Sequence, residues 1–137
     1  MKWLNALVIG SACLAAAACA NHVKLKPSGS YPVFFDRGDA RIPSDGKDVL
    51  EVIADAYKDG AFKTVAVECF SDHASGDVAA NIELTQKRAD RTKADLVKLG
   101  VPADAITAVG GGPADPLVPG VTGDVAVSNR RCAVTLT

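Results

Sequence analysis

The 137-residue chain is short of aromatic side chains, of histidine and of net charge. Aromatics make up 5% of it, too few for the stacking platforms that bind single-stranded nucleic acids. A formal net charge of −1 supplies neither a basic field for a phosphate backbone nor an acidic tail for a basic partner. With two histidines, four cysteines and no C-x-x-C or H-x-x-x-H spacing, the usual zinc frameworks are missing and no cofactor is expected. Ser71, Asp72 and His73 have the chemistry of a triad but are consecutive, and neighbours on an extended chain point to opposite sides. The reading is therefore non-enzymatic. After the first twenty residues there is no apolar run long enough to span a bilayer. The length is that of one domain with one core.

The first residues, MKWLNALVIGSACLAAAACAN, have the form of an export signal: Lys2, then an apolar stretch, then small residues. Two processing routes fit. Ala18-Cys19-Ala20 is a small-x-small cleavage site that releases a soluble periplasmic chain. The segment AAAC ending at Cys19 is also similar to a bacterial lipoprotein box, with Ala16 where leucine is usual. Lipidation of Cys19 is the preferred reading, because a lone exposed thiol at a mature terminus has no other evident use. The division is then 1–19 export signal, 20–31 short polar tether and 32–137 folded domain.

Within the domain, Val33, Phe34 and Phe35 form a brief strand, and Ser44 or Asp45 caps a first helix with apolar positions 49, 50, 53 and 57, stopped at Gly60. In TVAVECF, Val65, Val67 and Cys69 share one face. A second helix carries a stripe of Val78, Ile82, Thr85, Ala89, Thr92, Leu96 and Leu99, at alternating spacings of four and three, ending at Gly100. ITAVGGG is a strand running into glycines, and in RRCAVTLT the residues Cys132, Val134 and Leu136 share a face. Alternating strands and helices make a two-layer α/β or α+β domain with its helices on one sheet face.

Asn81 and Arg88 are seven residues apart, each just before a stripe residue, which places both at the edge of the buried seam. Asp72 follows the carboxyl end of a strand, where ligands collect in open α/β sheets. An acid and a base on one rim can take a zwitterion, the carboxylate holding an ammonium and the guanidinium forking onto a carboxylate. A plain Asp72–Arg88 salt bridge is the structural alternative.

Ordered blocks cover nearly the whole mature chain: Phe34-Phe35-Asp36, Cys69-Phe70-Ser71-Asp72, NIELTQKRA over 81–89, Gly100-Val101, Gly110 with Gly112 and Pro116, and Asn129-Arg130-Arg131-Cys132. Residues 33–137 thereby resemble the OmpA-like periplasmic domain that is shared with the peptidoglycan-associated lipoprotein. There are departures: Cys69-Phe70 stands where the family has Gly-His, and the stretch from Asp72 to Asn81 is one residue longer.

The resemblance implies an α+β fold, a two-layer βαβαββ sandwich with helices on one face of a four-stranded mixed sheet. Its last strand would lie antiparallel beside the second. It also implies non-covalent binding of peptidoglycan through the diaminopimelate of the stem peptide, Asp72 taking the amino group and Arg88 the carboxylate. Asn81 and Asp36 are further residues of that pocket, and Asn129 and Arg130 either support it or pair structurally. The implied strand order brings Cys69 near Cys132, leaving a disulfide or two buried thiols as alternatives. With a lipid on Cys19, the protein would link the outer membrane to the wall from its periplasmic side. The alternatives are a soluble periplasmic form, and a scaffold for another envelope protein whose wall site is weakened by the longer loop.

Overall fold

The computed structural model describes residues 29–72, 77–113, 119 and 127–137. The export segment, Cys19, most of the tether, His73 and Pro116 lie outside these residues. The elements run β1 (Ser30–Phe34), α1 (Ser44–Lys58), β2 (Val65–Phe70), α2 (Val78–Lys98), β3 (Ile106–Gly112) and β4 (Arg131–Leu136), with a 3-10 turn at Ala103–Ala105 before β3. The sheet order is β1-β4-β2-β3; β2 and β3 are parallel, and β4 is antiparallel to both its neighbours. This is the two-layer α+β sandwich with a mixed four-stranded sheet.

β1 runs from Ser30 to Phe34, starting ahead of the strand expected over Val33, Phe34 and Phe35 and ending one residue before Phe35, because Thr135 and Val134 of β4 offer backbone partners to Ser30 and Tyr31. Helix α1 is not capped by a side chain of Ser44 or Asp45. Pro43 takes the N-cap position in extended conformation, and its carbonyl accepts the Lys47 N–H at 3.0 Å. Proline suits this place, since the N–H that it lacks would have had no helical partner. Asp45 instead sits in the first turn, where a carboxylate meets the positive end of the helix.

Helix α2 begins with a cap, Asp77 Oδ1 accepting the Ala79 N–H at 3.3 Å. It ends in a Schellman turn, where Gly100 N–H reaches the Val97 carbonyl and Val101 N–H the Leu96 carbonyl, both at 3.0 Å. Gly100 takes the left-handed φ of 102° that this ending requires.

The expected stripe on α2 holds only in part. Thr85, Ala89, Thr92 and Leu96 are buried and Leu99 is half-buried, but Val78 is 58% and Ile82 47% exposed. The buried face of the first turns consists instead of Asn81, Thr85 and Arg88. Val78 points the same way as Leu96, about five turns further on. Ile82, however, already lies against Gly112, the last residue of β3, so one turn earlier the helix has run past the strand beneath it.

The core lies between the sheet and the two helices. Val65, Val67, Val134 and Leu136 meet Leu50, Ile53 and Leu96, while Ala66, Glu68 and Val109 face out on the other side. Cys69 and Cys132 stand directly opposite each other on β2 and β4, their Cα atoms 3.9 Å apart, and are joined by a disulfide.

Helix α2 also leans over the free edge of β3. Lys93 Nζ donates to the Ile106 carbonyl at 2.8 Å, and Gln86 Oε1 and Thr85 Oγ1 accept the N–H groups of Gly110 and Gly112 at 2.9 and 3.0 Å. Side chains thus satisfy groups that an edge strand otherwise offers to another chain. The approach is so close that a Cβ on Gly110 would stand 2.3 Å from the backbone nitrogen of Gln86.

Candidate functional site

The carboxyl end of β2, the entry to β4 and the turn after β1 converge on Arg88. This side chain is fully buried. Its Nε donates to the Asp39 carbonyl at 2.8 Å and its Nη2 to the Asp36 carbonyl at 2.9 Å. The guanidinium carbon lies 5.0 Å from the centre of the Phe35 ring. Backbone carbonyls and an aromatic face fix the cation without neutralising it. Nη1 is buried and has no hydrogen-bond partner among the described residues. A donor left so is costly to bury, and a carboxylate oxygen is the partner that would repay it best.

Asp72 is 1% exposed, two residues beyond β2. Its Oδ2 accepts from Arg130 Nη1 at 2.9 Å. Arg130 Nε also donates to the Phe35 carbonyl at 3.4 Å, and Phe35 N–H returns a bond to the Arg130 carbonyl at 2.9 Å. The buried ion pair at this end of the sheet is therefore Asp72–Arg130 and not Asp72–Arg88. The simple acid-and-base picture becomes two guanidinium groups around one buried carboxylate.

These charges act on one another. Burial, and then the Arg130 guanidinium, push the pKa of Arg88 down to about 10, while Asp72 and Asp39 pull the other way. Arg88 thus stays a cation throughout the neutral range. Asp39 is held below the usual carboxylate range chiefly by the Arg41 backbone N–H, which bonds its Oδ1 at 2.8 Å. A groove of about 590 Å³ opens beside this turn, lined by Asp39, Arg41, Lys87 and Arg91 among others, with Arg41 and Asp39 paired at 3.4 Å.

Of the residues singled out from sequence, Asp72 and Arg88 come to one place. Asp36 joins them through its backbone carbonyl, its side chain being exposed. Asn81 is buried on the same helix, not at the edge of a seam, and its Nδ2 bonds the Asp77 carbonyl at 3.1 Å. Ser71, set aside above as one of three consecutive triad-like residues, has its Oγ buried without a hydrogen-bond partner among the described residues. No group of three or more His, Cys, Asp or Glu side chains that could hold a metal occurs among them. Nor is any helix among them long and apolar enough to cross a membrane.

The OmpA family profile matches residues 34–130. The chain belongs to the OmpA family. A probable lipoprotein, YiaD, of Escherichia coli K12 is 33% identical over 104 residues, which are 76% of this chain and 47% of the relative. Outer membrane protein A of Yersinia pseudotuberculosis is 38% identical over 90 residues, 62% of this chain and 24% of that protein. The chain thus spans less than half the length of either relative. Its fold is that of the peptidoglycan-associated lipoprotein of Burkholderia pseudomallei, with a TM-score of 0.71 at 24% identity over 77% of this chain and 89% of that one. The C-terminal domain of Helicobacter pylori MotB superposes with a TM-score of 0.69 at 21% identity, covering 80% of this chain and 85% of that one.

In this OmpA-family domain, Arg130 is the partner that spacing along α2 did not reveal. The signal lies in the strand order. β4 runs antiparallel beside β2 with Phe70 opposite Arg131, so the residues after β2 meet the residue before β4. Asp72 and Arg130 are those residues.

Proposed function

We propose that this domain binds peptidoglycan non-covalently by holding the diaminopimelate of the stem peptide. The observation that carries the reading is the buried Arg88 guanidinium, with Nη1 left over from its two backbone bonds, within the electrostatic reach of the Asp72 carboxylate. The side chain of diaminopimelate ends in an ammonium and a carboxylate on one carbon. Its carboxylate meets Nη1, and its ammonium meets Asp72, since a carboxylate has about four acceptor directions to share. The surplus of guanidinium over carboxylate favours a ligand that brings a carboxylate of its own. Relatives named as a probable lipoprotein, an outer membrane protein and a peptidoglycan-associated lipoprotein support a place in the cell envelope. We place the domain on the periplasmic side of the outer membrane, anchored by a lipid on Cys19, where many weak contacts tethered to a surface add up.

The test is co-sedimentation with purified sacculi of the diaminopimelate type and of the lysine type, which lacks the terminal carboxylate. Binding to the first and not the second is expected, and it should weaken in Asp72→Asn and in Arg88→Lys. Equal pelleting with both wall types, or of all three proteins, would remove the diaminopimelate reading. The engagement of Asp72 by Arg130 favours the second reading, a scaffold for another envelope protein, and failure of wild type to pellet at all would leave that one standing.

A further inference from the structure

The disulfide lies at the last rung but one before the site. Cys69 and Cys132 face each other across β2 and β4, the next rung is Phe70 opposite Arg131, and beyond it stand Asp72 and Arg130. Both cysteines are fully buried. On its other side the register of β2 with β3 shifts between Cys69 and Phe70, skipping Gly111, before the Ser71 N–H bonds the Gly112 carbonyl at 2.8 Å. Strand ends fray, and a bulged end frays more readily. The bond also touches the helix: Thr92 Oγ1 lies 3.8 Å from Cys132 Sγ and donates to the Arg88 carbonyl at 2.9 Å. One covalent tie therefore backs the strand ends that carry Asp72 and Arg130, and the helical turn that carries Arg88.

We propose that Cys69 and Cys132 are a positioning pair for this site, so that binding competence depends on their being oxidised. The covalent tie holds the ends of β2 and β4 in register, and with them the spacing of the two guanidinium groups about the Asp72 carboxylate. Sites of this kind lose function when their supports shift by a fraction of an ångström. Reduction by a dithiol transfers two electrons and two protons to the sulfurs, giving two thiols, while the reductant becomes the disulfide. Because the sulfurs are buried, this exchange needs a local opening of the strand ends. Once formed in an oxidising compartment, the tie persists.

The affinity part of this inference rests on the peptidoglycan reading; the positioning part does not. The experiment therefore has two readouts on wild type, Cys69→Ala/Cys132→Ala and the volume-restoring Cys69→Val/Cys132→Ala, all well below their melting temperatures. The first is exchange of the Arg88 and Arg130 Nε–H protons, followed by NMR without ligand. Both variants should exchange roughly tenfold faster or more. The second is the Kd of a soluble diaminopimelate-containing tripeptide, which should be roughly tenfold weaker in both variants. A merely structural bond would lower the melting temperature and leave both readouts unchanged, which would overturn the inference. So would recovery of wild-type values in the volume-restoring variant, since packing and not the tie would then be responsible. If wild type does not bind the tripeptide, the peptidoglycan reading fails and proton exchange alone decides whether the cysteines position the arginines.

Discussion

Asp72 Oδ2 and Arg130 Nη1 lie 2.9 Å apart, with the side chains 1% and 9% exposed, so the aspartate meets its charge partner inside the protein and not in solvent. A pair buried to this degree is costly to break from one side only, because the survivor loses its hydrogen-bonded charge partner inside the protein. Arg130→Met should therefore destabilise by about 3–5 kcal/mol in urea unfolding with the disulfide intact. Adding Asp72→Asn should recover part of that loss, and simple additivity of the two changes would show that the pair is not coupled.

Gly110 is set by contact with the helix. Gly110→Ala would place a Cβ 2.3 Å from the Gln86 backbone nitrogen, forcing α2 away from the edge of β3. A loss of roughly 3 kcal/mol is expected, at the upper end of ordinary overpacking, because backbone yields less than a side chain. The shift in the urea midpoint measures it.

Val78 tests the reading of the stripe. At 58% exposed it contributes little to the core, and Val78→Lys should change unfolding free energy by no more than about 0.5 kcal/mol. Leu96→Ala, at a fully buried stripe position, should cost about 2–5 kcal/mol in the same assay.

The disulfide closes a sequence separation of 63 residues, for which chain entropy gives a stabilisation of about 4 kcal/mol. Intact mass with and without reductant should differ by the two hydrogens added at Cys69 and Cys132. Cys69→Ala/Cys132→Ala should unfold at correspondingly lower urea. An unchanged free-thiol count on reduction would show that the bond does not form.

Arg88 imposes a sign on the alkaline limb of stability. Its pKa is about 10 in the folded protein and higher when unfolded, so between these values the unfolded chain holds more protons at this site. Stability attributable to Arg88 then rises with pH through that window, whereas below pH 10 both states are charged and the burial penalty is present in full. Wild type should lose stability less steeply above pH 10 than Arg88→Met does, in urea titrations at successive pH values. Parallel curves would count against the lowered pKa.

Much of the scaffold could be read from the residues. The parity of Val65, Val67 and Cys69 and of Cys132, Val134 and Leu136 is the burial pattern of β2 and β4. Gly100 is the residue at which α2 turns out of its helix. What periodicity could not show is where α2 outruns the sheet. Val78 and Ile82 continue the apolar spacing, but beyond Gly112 no described strand remains to cover them, and the buried direction passes to Asn81 and Arg88. Asp72 and Arg88 were legible as an acid and a base near one strand end. The partners of Arg88 were not, because they are backbone carbonyls, which no residue type announces; Arg130 was named as supporting the site or pairing structurally, and its bond to Asp72 follows from the strand order.

The bonds of Lys93, Gln86 and Thr85 to β3 leave the sheet with one edge closed and β1 at the other. A ladder that can grow from one side alone cannot propagate. Among the described residues β1 is the one edge left, so two such sheets joined along it would use up both edges in a twofold pair. The helix that carries Arg88 thus also restricts strand addition to the described sheet to one of its two sides.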